Sequence, residues 1–205
     1  MIPLPPPATK PRPMFRTLKS GGHLVRLFDP SQHGQMATTF RHFGPLRRFD
    51  HHRASPIGPA VDPNRGISYA SFKLSGCLVE VFGDTGIVDC GEWHVARIEI
   101  VSDLRLLNLT GVGAMRAGSV TGLTQAPDHA LAQNWARYIY TDAAYRHCDG
   151  ILYANAHNGE PAVALFERAA IRIACPSTSV IRLDHAGLRA ELLSIARRHN
   201  MICQP

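Results

Sequence analysis

Within residues 94–101, HVARIEIV, apolar and polar side chains alternate from Ala96 to Ile100, the two-residue period of a strand with one face buried. That strand must pair, and the segments around it supply candidates. HLVRLFD (23–29) reads as a strand with Leu24 and Arg26 on one face and Val25 and Leu27 on the other. ISYAS (67–71) reads as a strand running into a helix over about 72–83, where Phe72, Leu78, Val79 and Phe82 face inward. LRLLNLT (104–110) re-enters the sheet, and DGILYAN (149–155) with AVALFER (162–168) form a hairpin. Helical spacing recurs at Leu131, Trp135, Tyr138 and Ile139, and again at Leu188, Leu192, Ile195 and Ala196. Strands outnumber helices and interleave irregularly with them. An α+β fold with mixed or antiparallel sheets and flanking helices is therefore expected, as one domain, because 205 residues bury one sizeable core but not two.

Two stretches fall outside this pattern. Residues 1–22 carry prolines at 3, 5, 6, 7, 11 and 13 and read as an extended arm with little core, preceding a domain over 23–205. Residues 29–65 are dense in His, Pro and Gly and lack apolar periodicity; loops of that length in a small domain are usually functional or mobile. The formal charge of +6 is also concentrated early. Residues 1–53 hold nine Lys/Arg against Asp29 and Asp50, a net of +7, so the remainder sums to −1. Such a basic region suits a polyanion, an acidic protein or a phosphorylated small molecule, and equally a merely solvated face.

Several function classes are disfavoured. No run of 18 apolar residues occurs, so no membrane span is expected, and the opening MIPLPPPATKPRP does not read as a secretory signal. Five dispersed cysteines without a C-x-x-C suit buried thiols in a reducing cytoplasm. GVGAMRAGSV (111–120) has Ser119 where a phosphate loop needs lysine and Arg116 where a dinucleotide fingerprint needs glycine, so it reads as a loop opening a short helix. The adjacent His51 and His52 would point apart on a strand, and no metal site is expected from the early histidines. Direct nucleic-acid recognition finds no helix-turn-helix and no basic–aromatic interleaving.

A dispersed set of polar residues remains. Arg26 sits within LVRLF, a costly place for a charge unless it is paired or meets an anion. Arg48 follows in RRFD, Tyr69 lies in ISYAS, and Glu80 comes eleven residues later, flanked by Leu78, Val79, Val81 and Phe82. A structural salt bridge would account for Glu80 as well as a catalytic role would.

In their order, LVR (24–26), RRFD (47–50), SYAS (68–71), Glu80, DGILYAN (149–155) and AVALFE (162–167) resemble the RES family. The resemblance spans roughly residues 23–170. It departs from the family pattern in two places: the stretch between Arg48 and Tyr69 is long, suggesting a loop over 51–66 that overhangs the site, and Asn155 stands where the family has serine. The resemblance implies a fold like that of ADP-ribosyltransferases, NAD as substrate with no metal, and cleavage of the nicotinamide–ribose bond by hydrolysis or phosphorolysis. Arg26 and Arg48 would hold the pyrophosphate, Tyr69 would stack on nicotinamide or ribose, Glu80 would stabilise the oxocarbenium-like charge, and Asn155 would position the diphosphate or the amide. It further implies a cytoplasmic toxin with a cognate antitoxin of the Xre-like helix-turn-helix type. A protein ADP-ribosyltransferase using the same site and a non-catalytic binding module are the alternatives.

Overall fold

The computed structural model describes residues 2–204. In chain order the elements are β1 (Phe15–Leu18), β2 (His23–Phe28), β3 (Phe43–Gly44), β4 (Ala60–Val61), β5 (Ile67–Ser71), α1 (Leu74–Phe82), β6 (Ile87–Asp89), β7 (His94–Ile100) and β8 (Leu104–Asn108). They continue with α2 (Val112–Arg116), α3 (His129–Thr141), β9 (Gly150–Ala154), β10 (Pro161–Phe166), β11 (Ile173–Ala174), β12 (Val180–Arg182), α4 (Arg189–Arg198) and β13 (Ile202–Gln204). The main sheet runs β1-β8-β9-β10-β5-β2-β7-β11, with β12 also on β7. Its pairs are antiparallel except β8–β9, where the crossover carries α2 and α3. This is the expected α+β architecture.

Strand alternation sorts the core into three parts. One face of the sheet carries Leu24, Phe28, Ala70, Ala96, Ile98, Ile100, Leu106, Leu152, Val163 and Leu165, which pack together as a single cluster. The opposite face divides. Around β5, β9 and β10 it presents Ile67, Ile151, Tyr153, Ala162, Ala164 and Phe166, which pack with Trp135, Ala136 and Ile139 of α3. Around β2 it presents Leu27 and Val25, packed with α1 and α4 through Leu78, Val79, Phe82, Leu192 and Ile195. Only a single residue pair, Val25 with Ser71, joins β2 to β5. The sheet therefore opens at this seam, where the two outer cores meet.

The N-terminal arm is extended as expected, but it is part of the fold rather than a segment with little core. Phe15–Leu18 pairs with β8, Ile2 packs against the α3 cluster, and the Trp135 indole N–H donates to the Pro3 carbonyl at 2.7 Å. A proline-rich segment can do this because an extended chain leaves its carbonyls free to accept. Residues 29–65 are irregular apart from the β3–β4 hairpin. His51 and His52 do not lie on a strand. Both side chains turn inward and are fully buried, their rings 5.9 Å apart, because loop backbone has no alternation rule to separate neighbours.

Candidate active site

The seam between the two outer cores holds a small pocket lined by Leu27, Tyr69, Ser71, Gly76, Cys77, Glu80, Tyr153 and Ala162. Register explains the room. On β10, Ala162 lies between Ser71 and Tyr153, and Ala164 lies between Tyr69 and Ile151. Two methyl side chains on the central strand thus leave space between two tyrosines on its neighbours. Gly76 matters for the same reason, since a Cβ there would stand 2.2 Å from Ser71 Oγ.

Glu80 projects into this pocket from α1. That helix buries Leu74, Ser75, Gly76, Cys77, Leu78, Val79 and Phe82, so its one charged side chain is left on the pocket side. Glu80 is still open to solvent, yet the atoms crowding its carboxyl raise its pKa, against the opposing pull of His157, Arg48, Arg47 and the Tyr153 hydroxyl. Burial followed by the nearby Glu80 charge pushes the Tyr153 phenol well above its ordinary value.

Arg48 sits on a turn over residues 46–50. Phe49 anchors this turn in the α3 core, fully buried and 4.8 Å from the Tyr153 ring. The turn is tied down by Gln133 Nε2 donating to the Arg47 carbonyl at 3.1 Å and by Arg48 Nη1 donating to the Ala126 carbonyl. Among the described residues neither Arg47 nor Arg48 has a carboxylate within ion-pair distance, whereas Lys19, Arg41 and Arg53 from the same basic stretch are paired to Asp103, Asp50 and Asp62. Arg47 and Arg48 thus bring uncompensated positive charge close enough to act on Glu80.

Tyr69 is half-buried. Its hydroxyl donates to Asp50 Oδ1 at 2.9 Å and accepts from the Phe49 amide at 3.0 Å, so its single O–H is already engaged and the ring is what it can offer a ligand. Burial, then the Asp50 charge, holds this phenol well above its ordinary pKa.

The other two expected residues are placed differently. Arg26 is buried, and its Nη1 donates to the Ala37 and Thr39 carbonyls at 3.1 and 2.7 Å and to Ser68 Oγ at 2.6 Å. Ser68 and Tyr69 are consecutive on β5 and face opposite sides, so Arg26 lies behind the strand and outside the pocket lining. Burial lowers its pKa to about 10, still a cation at neutral pH. Asn155 ends the β9 segment that carries Tyr153. Its Oδ1 accepts from the His157 and Asn158 amides at 3.0 and 2.9 Å, while Nδ2 is buried without an acceptor. The loop over 51–66 is bonded to its own surroundings: Arg53 to Asp62, Arg65 to the His51 carbonyl and Gly66 to Glu167.

Sequence reading overlooked Tyr153 and Asp50 as site residues. Tyr153 was detectable from the hairpin register once its strand was set beside that of Tyr69. Asp50 was read only as the last residue of the RRFD motif.

Among the described residues there is no group of three or more His, Cys, Asp and Glu able to hold a metal, and no helix is long and apolar enough to cross a membrane.

The chain is 32% identical over 108 residues to a probable toxin, y4kH, of Sinorhizobium fredii, a match covering 53% of this chain and 83% of that protein. Its fold resembles a chain in the crystal structure of the M. tuberculosis MbcT–MbcA toxin–antitoxin complex, with a TM-score of 0.58 and 16% identity over 89% of this chain and 93% of that one. The RES domain model matches residues 23–185. The chain belongs to the RES-domain family.

Proposed function

We infer that this protein is the toxin of a toxin–antitoxin pair and that it destroys NAD by cleaving the nicotinamide–ribose bond. The observation that carries the reading is the lone α1 carboxylate, Glu80, facing Tyr69 and Tyr153 across the sheet seam with two unpaired guanidiniums beside it. A dinucleotide needs these groups in this order. The diphosphate is recognised by guanidiniums, which present planar forked donors, and Arg48 with Arg47 is free to supply them. An aromatic face orients the ring next to the bond that breaks, the part given to Tyr69. Positive charge builds on the ribose as nicotinamide departs with the bonding electron pair, and Glu80 stabilises that charge and binds the ribose hydroxyls. Water or inorganic phosphate then bonds to the ribose carbon through an oxygen that gives up its proton to solvent, which completes the exchange. Arg26 adds its charge from behind β5, and Asn155, fully buried and outside the pocket lining, would have to be uncovered for its unpaired amide to meet the diphosphate or the nicotinamide carboxamide.

The test is mass analysis of the products formed from NAD by the purified protein with and without phosphate. Free ADP-ribose, a ribosyl 1-phosphate linkage, and label transferred to protein from extract distinguish hydrolysis, phosphorolysis and protein ADP-ribosylation. Unchanged NAD under all conditions would overturn the enzymatic reading and leave a binding module. Growth arrest on expression in the cytoplasm, relieved by a co-expressed cognate antitoxin of the Xre-like helix-turn-helix type, is the matching outcome for the toxin reading.

A further inference from the structure

Asp50 is fully buried, and its two oxygens collect partners from four places in the chain. Arg41 Nη2 donates to both, at 2.8 and 2.7 Å. The Leu46 and Arg47 amides donate to Oδ2, the latter at 2.9 Å, and the Tyr69 hydroxyl donates to Oδ1 at 2.9 Å. The Phe49 amide closes the set by donating back to the Tyr69 oxygen.

Two consequences follow. The amides of Leu46 and Arg47 are spent on Asp50, which fixes the turn that carries Arg48. The Tyr69 hydroxyl is spent on the same carboxylate, which fixes the tilt of a ring that lines the pocket. One side chain therefore sets the distance between a guanidinium and an aromatic face that otherwise belong to separate elements, a turn and β5. Arg41 is the counter-charge that makes a buried carboxylate tolerable there. Because it is bidentate and itself held to the Phe43 carbonyl and to Ile67 through the backbone, it also restricts rotation of the Asp50 carboxylate.

We propose that Asp50 is a positioning residue for the NAD reaction: it acts through Arg48 and Tyr69, holding diphosphate-binding and ring-stacking groups at a fixed spacing, and touches no substrate itself. The proposal rests on the NAD reading above. Asp50→Asn keeps the volume and removes the charge, so the turn and the ring are no longer held to the same acceptor. Displacements of the order of 1 Å between binding groups cost up to about a hundredfold in rate.

The experiment is steady-state kinetics on wild type, Asp50→Asn, Arg48→Ala and the double variant, with the folded fraction measured separately by circular dichroism. Expected are a rise in KM for NAD of about tenfold with a fall in kcat for Asp50→Asn, and a double variant whose KM rises by less than the two single effects combined. A merely structural carboxylate would lower Tm and the folded fraction while KM stayed at the wild-type value, and that result overturns the proposal, as would additive effects in the double variant. If Asp50→Asn does not fold, Tyr69→Phe carries the test, since it keeps the ring and removes the hydroxyl that joins it to Asp50 and to the Phe49 amide; an unchanged KM and kcat there overturns the proposal. A wild-type protein that leaves NAD intact overturns the NAD reading and the positioning role together. An active wild type with unperturbed variants overturns the positioning role alone.

Discussion

His51 Nε2 lies 3.1 Å from Glu167 Oε2, a contact across 116 residues of chain that joins the loop following the Arg48 turn to the end of β10. The Tyr140 hydroxyl donates to the other oxygen of Glu167, and the Gly66 amide to the same one as His51. His51 also packs in tilted contacts on Tyr140 and Phe166, with ring centroids 4.4 and 4.5 Å away. The link keeps the long loop from swinging, and with it the turn immediately before.

This pair makes the fold acid-sensitive. Partial burial of Glu167 would raise its pKa, but the hydrogen bonds from His51 and Tyr140 outweigh that and bring it to about 2. A carboxylate depressed in the folded state stabilises above its unfolded pKa of 4.5, and that contribution is lost as pH falls toward about 2. Burial lowers the pKa of His51 as well, so its neutral form is the folded one and stability declines once pH drops below the ordinary value of 6.5. The expected result is a Tm that falls in acid, beginning below 6.5. Glu167→Gln should lower stability at neutral pH by about 2 kcal/mol and flatten the profile between 4.5 and about 2. An unchanged slope in that variant would show that Glu167 is not the responsible group.

Glu80→Gln should reduce NAD consumption by about 10²–10³-fold, as loss of a transition-state charge partner does. The same substitution should not destabilise the fold. Crowding raises the Glu80 pKa, so the ionised form is disfavoured in the folded state, and stability is present below 4.5 and lost as pH rises past it. A neutral glutamine removes that cost, and Tm at neutral pH should equal or exceed that of wild type. In wild type the acid limb of kcat/KM should lie above the ordinary glutamate value. A variant that lost activity only in step with a falling Tm would contradict both statements.

Gly76→Ala should move α1. Its Cβ would stand 2.2 Å from Ser71 Oγ and 3.1 Å from Glu160 Oε2, and Glu160 is bonded to Ser75 on the same helix. Overpacking of this kind costs about 1–3 kcal/mol. Since Glu80 lies one turn further along α1, activity should fall further than the loss of folded protein explains. Urea titration beside an activity assay separates the two effects.

Deleting residues 1–10 should lower stability by about 1–3 kcal/mol, because the fully buried Trp135 would lose the Pro3 acceptor for its indole N–H. Trp135→Phe should cost less in the truncated chain than in the full-length chain. If the truncated protein unfolds at the same urea concentration as the full chain, the arm is not part of the core.

Much of this molecule was decided locally. HVARIEIV forms a strand because the alternation at its centre leaves apolar residues one face to bury, whereas β9 and β10 are nearly continuous apolar runs buried on both faces. The two longer C-terminal helices follow from apolar spacing of three and four residues. Glu80 stood out because Leu78, Val79, Val81 and Phe82 around it are apolar, and the early excess of Lys and Arg suited an anion or an acidic partner and equally a solvated face. Ordered motifs along the strands were enough to point to the family.

Tertiary structure decided which of those groups act together. Arg26 and Arg48 look equivalent as isolated arginines, yet strand pleating sends Arg26 to the Ser68 side of β5 while the 46–50 turn leaves Arg48 near Glu80. Asp50 reads as an ordinary loop aspartate until Arg41, Leu46, Arg47 and Tyr69 converge on it. Periodicity reports which face of an element is buried, because that is set by residues a few positions apart. Hydrogen-bond partners and ion pairs between distant segments depend on how the sheet opens between β2 and β5, and no local pattern encodes that.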